Sequence, residues 1–233
     1  MDELIDIAPI RASDRGRGGA SHVFEILRAD IIALTLAPGA LLSRAELQER
    51  FGLSSTPIRD ALMRLQEESL VDIFPQHATV VSRIDVARAR QGQFLRRSIE
   101  LEVVRTLALK PDPQVIARLR SLIRQQTVFA DLGEHEAFTR ADQLFHRTTY
   151  DAAGVLDLWR LVRREGGHID RLRRLNLPVE GKMREIIGNH TDLVDAIEAG
   201  AADRAQAALR DHLVRSLDFV DKLRESHPEY FRD

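Results

Sequence analysis

The chain has 233 residues, no cysteine and a formal net charge of −2 at pH 7. Without thiols, a disulfide scaffold and cysteine-based chemistry are excluded, and a reducing cytoplasm is the expected setting; near-neutrality excludes binding of nucleic acid through bulk positive charge. The 44% hydrophobic content suits a packed globular chain of one large or two small domains, and no stretch has the apolar length of a membrane span.

Residues 1–20 carry Asp2 and Glu3 and no long apolar run, so they read as neither signal peptide nor anchor. The run Arg15-Gly-Arg-Gly-Gly-Ala20 predicts a mobile arm. Val23, Ile26, Leu27, Ile31 and Leu34 then recur at helical spacing behind Ser21 as N-cap, and Leu36-Ala-Pro-Gly39 ends that helix. Ser43 caps a short helix carrying Leu47 and Phe51, which Gly52 closes as a left-handed cap. Thr56 and Pro57 open the next helix, whose core face is Ile58, Ala61, Leu62 and Leu65. Two short helices joined by a tight glycine turn make a helix-turn-helix. The β-branched runs 71–74 and 79–82 flank Pro75-Gln-His-Ala78 and predict a two-stranded wing.

After Ile84 no strand signal returns. Amphipathic helical patterns run to about Glu225, broken at residues 111–113, Gly133, Gly154, Pro178 and Gly200. The fold class expected is therefore mostly α: a winged helix-turn-helix of three helices and a wing, then an all-α antiparallel bundle of about six helices. The boundaries expected are an arm over 1–20, the winged domain over 21–84, a linker over 85–90, and the helical domain over 91–228.

The second helix of a helix-turn-helix lies in the major groove with its N-terminal residues nearest the bases. Ser54, Ser55, Thr56 and Arg59 hold those places; hydroxyls and free N–H groups there suit a phosphate, and Arg59 suits a guanine edge. Arg64 stands farther along and His77 at the wing tip. Between residues 21 and 84 there are six Lys/Arg and eight Asp/Glu, so contacts must come from a few placed arginines.

In the second half, Asp142 and His146 share a helix face with Phe138, Phe145 and Thr149. His190 is centred on a stripe of Met183, Ile186, Ile187, Val194 and Ile197, and His212 on one of Ala205, Ala208, Leu209, Ser216 and Phe219. Each polar group points inward and needs a partner. Three imidazoles and one carboxylate suit a divalent transition metal such as zinc, nickel or manganese. The competing reading makes each a core histidine bonded to a neighbour. His22, His77, His135, His168 and His227 lack such stripes.

Pro38-Gly39, Leu42-Ser43-Arg-Ala-Glu-Leu47, Phe51-Gly-Leu-Ser-Ser-Thr-Pro-Ile-Arg-Asp-Ala-Leu62, Leu70-Val71 and Pro75-Gln-His-Ala78 resemble, in order, the winged helix of the GntR family of bacterial regulators. The chain departs from that pattern in three places. Ser55 replaces a base-reading arginine, Arg44 stands where an acid is common, and His77-Ala78 replaces Arg-Gly at the wing tip. Arg44 is a candidate to restore the charge that Ser55 removes.

Asp142-x-x-x-His146, His190 and His212-Leu213 resemble the metal-binding ligand domain of the FadR-type (FCD) branch, and Arg171 with Leu175-Asn-Leu-Pro178 its VanR-like members. The resemblance implies an Asp/His metal site, a small carboxylate or sugar-acid effector, double-stranded operator DNA and a homodimer. Arg96 falls where relatives place an effector-binding arginine, with an ion pair to Glu100 as the alternative; Arg163 and Arg171 are weaker candidates. The expected function is a DNA-binding repressor under effector control. A helical metalloenzyme or a metal-free dimerisation module is the alternative, and neither an H-E-x-x-H motif, a phosphate loop nor a nucleophile elbow supports an enzyme.

Overall fold

The structure is a computed structural model, and it describes residues 17–75, 77–214 and 217–232. The expected arm lies outside these residues except for its last four, which are helical. The chain divides into two compact units, one ending at Arg83 and one beginning at Ile84.

The first unit contains α1 (Arg17–Ile32), α2 (Arg44–Phe51), α3 (Ser55–Glu67), β1 (Val71–Phe74) and β2 (Ala78–Val81). The first helix does not wait for Ser21. Ala20 is buried, and a Cβ placed on Gly19 would lie 3.3 Å from Leu53, so small residues let this turn pack inward instead of fraying. Ser43 caps α2 by accepting from the Glu46 N–H, and Gly52 ends it at φ 62°. The N-cap of α3 is Ser54, two residues before the expected Thr56, and it makes no side-chain cap bond. Ile58, Ala61, Leu62 and Leu65 turn their face of α3 onto Val23, Leu27 and Ile31 of α1. The wing pairs antiparallel with Val71 opposite Val81 and Phe74 opposite Ala78, and Leu41 adds an isolated bridge to Val80. Leu70, Val71 and Val81 anchor the wing in the same core.

The second unit contains α4 (Val86–Leu109), α5 (Pro113–Leu132), α6 (His135–Ala152), α7 (Leu156–Glu165), α8 (Gly167–Asn176), α9 (Lys182–Glu198), α10 (Ala202–Val214) and α11 (Val220–Ser226), with a 3-10 turn over Pro228–Tyr230. Among the described residues eight helices stand where about six were expected. All five expected breaks occur; the extra ones are the split of α7 from α8 at Gly166 and the separate α11. Residues 85–90, expected as a linker, begin α4 instead, because Asp85 caps it by accepting from the Arg88 N–H.

The helix α4 packs on α10 and α8, α5 on α6 and α9, and α9 on α10. Val104, Phe145, Leu193, Val194 and Leu209 share the central apolar cluster. The carbonyl of Glu165 approaches Gly92 so closely that a Cβ there would lie 2.7 Å from it; Gly92 is what lets the α7–α8 break sit against α4. Ile84 is pinned in a parallel bridge to Phe231, its N–H donating to the Tyr230 carbonyl at 2.7 Å and its own carbonyl accepting from the Arg232 N–H at 3.0 Å. No helix among the described residues is long and apolar enough to cross a membrane.

Candidate functional site

In the first unit, Arg44, Ser54, Ser55, Thr56 and Arg59 are exposed around the start of α2 and α3, and His77 is exposed at the wing tip. Arg59 makes a 3.5 Å contact to its neighbour Asp60. Arg64 is engaged within the unit: it donates to Ser21 Oγ at 3.1 Å, and its guanidinium lies 3.9 Å over the ring of Phe24. The helix-turn-helix thus presents a polar, hydroxyl-rich helix start with exposed arginines, the form that enters a major groove.

In the second unit, four residues from three helices meet. Asp142 and His146 come from α6, His190 from α9 and His212 from α10. All are at least 94% buried, and one ligating atom from each lies within 4.8 Å of every other. Asp142 Oδ1, His146 Nε2, His190 Nε2 and His212 Nδ1 have no hydrogen-bond partner among the described residues. A buried polar atom without a partner costs on the order of 1–3 kcal/mol, and four such atoms aimed at one point fit a cation.

The surroundings fix which atoms face that point. His190 Nδ1–H donates to Gln126 Oε1 at 2.9 Å, which leaves Nε2 with its lone pair toward the cluster. The His190 ring also stacks on Phe145, with centroids 4.0 Å apart. His146 Nδ1 lies 3.3 Å from Glu100 Oε2. Arg173 Nη2 donates to Asp142 Oδ2 at 2.9 Å, so the second carboxylate oxygen is the one turned inward. Burial drives the three imidazoles toward the neutral form; it holds His190 at about 4, and His146 and His212 well below the ordinary histidine value, with nearby Arg96 and the neighbouring histidines adding to the effect. Burial would raise Asp142, but Arg173 and the other positive groups outweigh it and keep the carboxyl well below its usual range. Neutral imidazoles and an ionised carboxylate are the states that bind a metal.

Asp142 and His146 also line a small pocket with a cavity volume of about 20 Å³, whereas His190 and His212 do not. Arg96, Arg163 and Arg173 line the same pocket, with Trp159 and Asp170. Arg96 makes the alternative contact as well: its Nε donates to Glu100 Oε1 at 2.7 Å, and Tyr150 donates to the same oxygen at 3.3 Å. Arg163 pairs with Asp170 and lies over the Trp159 ring. Arg171 is fully buried beside His168 at 3.0 Å and is not among the pocket residues.

Three contributors were missed in the sequence. Gln126 sits on the buried stripe of Leu119, Leu122 and Ile123, where a polar residue was a usable signal. Arg173 reaches Asp142 from α8, a long-range pairing that no local period encodes. His168, which has no apolar stripe in the sequence, is buried, and its Nδ1 accepts from the Asp85 N–H at 3.0 Å.

A winged helix-turn-helix followed by a separate all-helical unit is the architecture of a DNA-binding regulator with a second, helical domain. Family models match both parts: the gntR family of bacterial regulatory proteins over residues 20–81 and the FCD domain over residues 93–215. The chain belongs to the GntR family and carries an FCD domain. It is 36% identical over 221 residues to an uncharacterized HTH-type transcriptional regulator in an unstable DNA locus of Streptomyces ambofaciens, covering 94% of this chain and 92% of the relative. It is 27% identical to the HTH-type transcriptional repressor RspR of Escherichia coli K12, covering 91% and 93%. The fold is similar to that of E. coli McbR/YncC, with a TM-score of 0.75 at 21% identity over 88% of this chain and 97% of that one. The relatives are transcriptional regulators, and the protein is a DNA-binding regulator rather than an enzyme.

Proposed function

We propose that this regulator is a cytoplasmic repressor that binds operator DNA as a homodimer and is controlled by a small carboxylate or sugar acid at a metal centre in its helical domain. The observation that carries the reading is the set of four partnerless ligand atoms of Asp142, His146, His190 and His212, two of whose residues also line a pocket with three arginines. A divalent cation such as zinc, nickel or manganese would be held by these four and would offer an effector oxygen a Lewis-acid anchor. The arginines best placed to receive a carboxylate are Arg96, Arg163 and Arg173; Arg171 supports α8 from outside the pocket.

Arg44, Ser54, Ser55, Thr56, Arg59 and His77 form the DNA-facing set in this reading. With so few cations per winged domain, two copies on a palindrome are needed, with half-sites about one helical turn apart. Repression is the sign given in the name of the E. coli relative RspR. Effector binding is expected to weaken operator binding, a coupling between two sites.

The test is metal analysis of protein purified without a nickel column or chelator, beside His190→Ala and His212→Ala. About one metal per chain, lost in both variants, supports the centre. Absence of metal, with none taken up on addition, overturns it and leaves a helical module with structural histidines.

A further inference from the structure

Glu100 on α4 is a carboxylate outside the four-residue ligand set, and it is only 1% exposed. Its Oε1 is held twice, by Arg96 Nε at 2.7 Å and by the Tyr150 hydroxyl at 3.3 Å. Its Oε2 has no hydrogen-bond partner among the described residues, yet lies 3.3 Å from His146 Nδ1. The opposite nitrogen of the same ring, His146 Nε2, is one of the partnerless atoms of the cluster. Two buried orphan atoms thus meet on one imidazole.

We propose that Glu100 is a positioning residue of the metal centre: it accepts the Nδ1–H of His146 and so turns Nε2, with its lone pair, toward the cation. This rests on the metal reading above. A neutral imidazole has one ring proton to place. With that proton on Nε2, the ring presents a donor to the cluster and leaves Nδ1 as an acceptor facing the acceptor Oε2. With the proton on Nδ1, Oε2 gains its missing donor and Nε2 is free to ligate, so a single tautomer satisfies both orphans. Arg96 and Tyr150 fix the carboxylate through its other oxygen, which keeps Oε2 turned to His146. The Arg96–Glu100 ion pair, four residues apart on one helix, thereby belongs to the site: Arg96 lines the pocket and also bears on the metal through Glu100.

The experiment pairs zinc competition against a chelator with proton–nitrogen NMR of the histidine side chains in the zinc-loaded full-length protein. Wild type is expected to show a downfield His146 Nδ1–H resonance. Glu100→Gln keeps the shape, but Arg96 claims the amide oxygen and the NH2 turns toward His146 Nδ1, which favours the proton on Nε2. The expected result is a 10–100-fold loss of zinc affinity and an upfield move of that resonance, with the His190 Nδ1–H beside Gln126 unchanged. Should the unpaired Arg96 unfold this variant, Arg96→Met/Glu100→Leu removes both charges together and is expected to show the same two changes. An unchanged affinity or an unchanged His146 resonance in a folded variant overturns the inference, while the metal reading stands. If wild type takes up no zinc, both fail.

Discussion

His190 Nδ1 lies 2.9 Å from Gln126 Oε1, and this one contact decides which nitrogen of the imidazole is turned toward Asp142, His146 and His212. Partners of this kind orient metal-binding histidines, and their loss costs 10–100-fold in affinity. Gln126→Leu should therefore weaken zinc binding by about that factor while retaining helical content. Competition against a chromogenic chelator measures it; unchanged affinity would show that stacking on Phe145 suffices to orient the ring.

The metal-free protein should lose stability in mild acid. His190 sits at about 4 in the folded chain against 6.5 in the unfolded one, so between these values the unfolded state binds more protons and stability rises with pH. His146 and His212 shift in the same direction. Below pH 6.5 each contributes a slope of up to about 1.4 kcal/mol per pH unit, the His190 share ending near pH 4. Asp142, held low, adds its own loss only in stronger acid. Urea denaturation at pH 7.5 and 5.5 should show a clear drop; a flat profile would mean that the histidines are solvated in the apo protein.

Gly92→Ala should damage the pocket without touching a ligand. Its new Cβ would stand 2.7 Å from the Glu165 carbonyl, a backbone atom that cannot rotate away. The α7–α8 junction must then retreat from α4, at a cost of about 1–3 kcal/mol. Thermal unfolding checks the cost. A wild-type melting temperature would show that the junction yields freely.

The arginines of the first unit should separate into two classes. Arg44→Ala and Arg59→Ala, both at exposed positions, are expected to weaken operator binding and lower the salt slope by about one each. Arg64→Ala is expected chiefly to lower the melting temperature, since it removes a hydrogen bond to Ser21 and a contact with Phe24. Salt-dependent anisotropy with operator DNA, paired with thermal melts, distinguishes them. Arg44→Ala with an unchanged slope would end the idea that it replaces the charge absent at Ser55.

Local chemistry explains what could be read in advance. Gly133, Gly154 and Gly200 end helices at positive φ, and the proline breaks act through the backbone alone, so each was visible as a residue type. The Asp142/His146 pair and the stripes around His190 and His212 were visible for the same reason, since a polar residue on an apolar face reports its burial. The break at Gly166 was not visible: its φ of −85° is ordinary, and its cause is the close approach to Gly92. Arg173 and Asp170 carry no period, and only the packing of α8 reveals their partners. Arg171, one of the weaker effector candidates in the sequence, is fully buried and is not among the residues that line the pocket.

The bridge at Ile84 bears on when the protein can fold. Its two backbone partners, Tyr230 and Arg232, are made about 150 residues later, so the loop it closes is among the longest in the chain. On the ribosome the first unit has all of its core in hand once Val81 has emerged, and it can fold while synthesis continues. The second unit must wait: the residue that opens it stays unclasped until residues 230–232 leave the tunnel. The DNA-reading unit is therefore expected to be folded on nascent chains before the sensing unit has secured its own first residue.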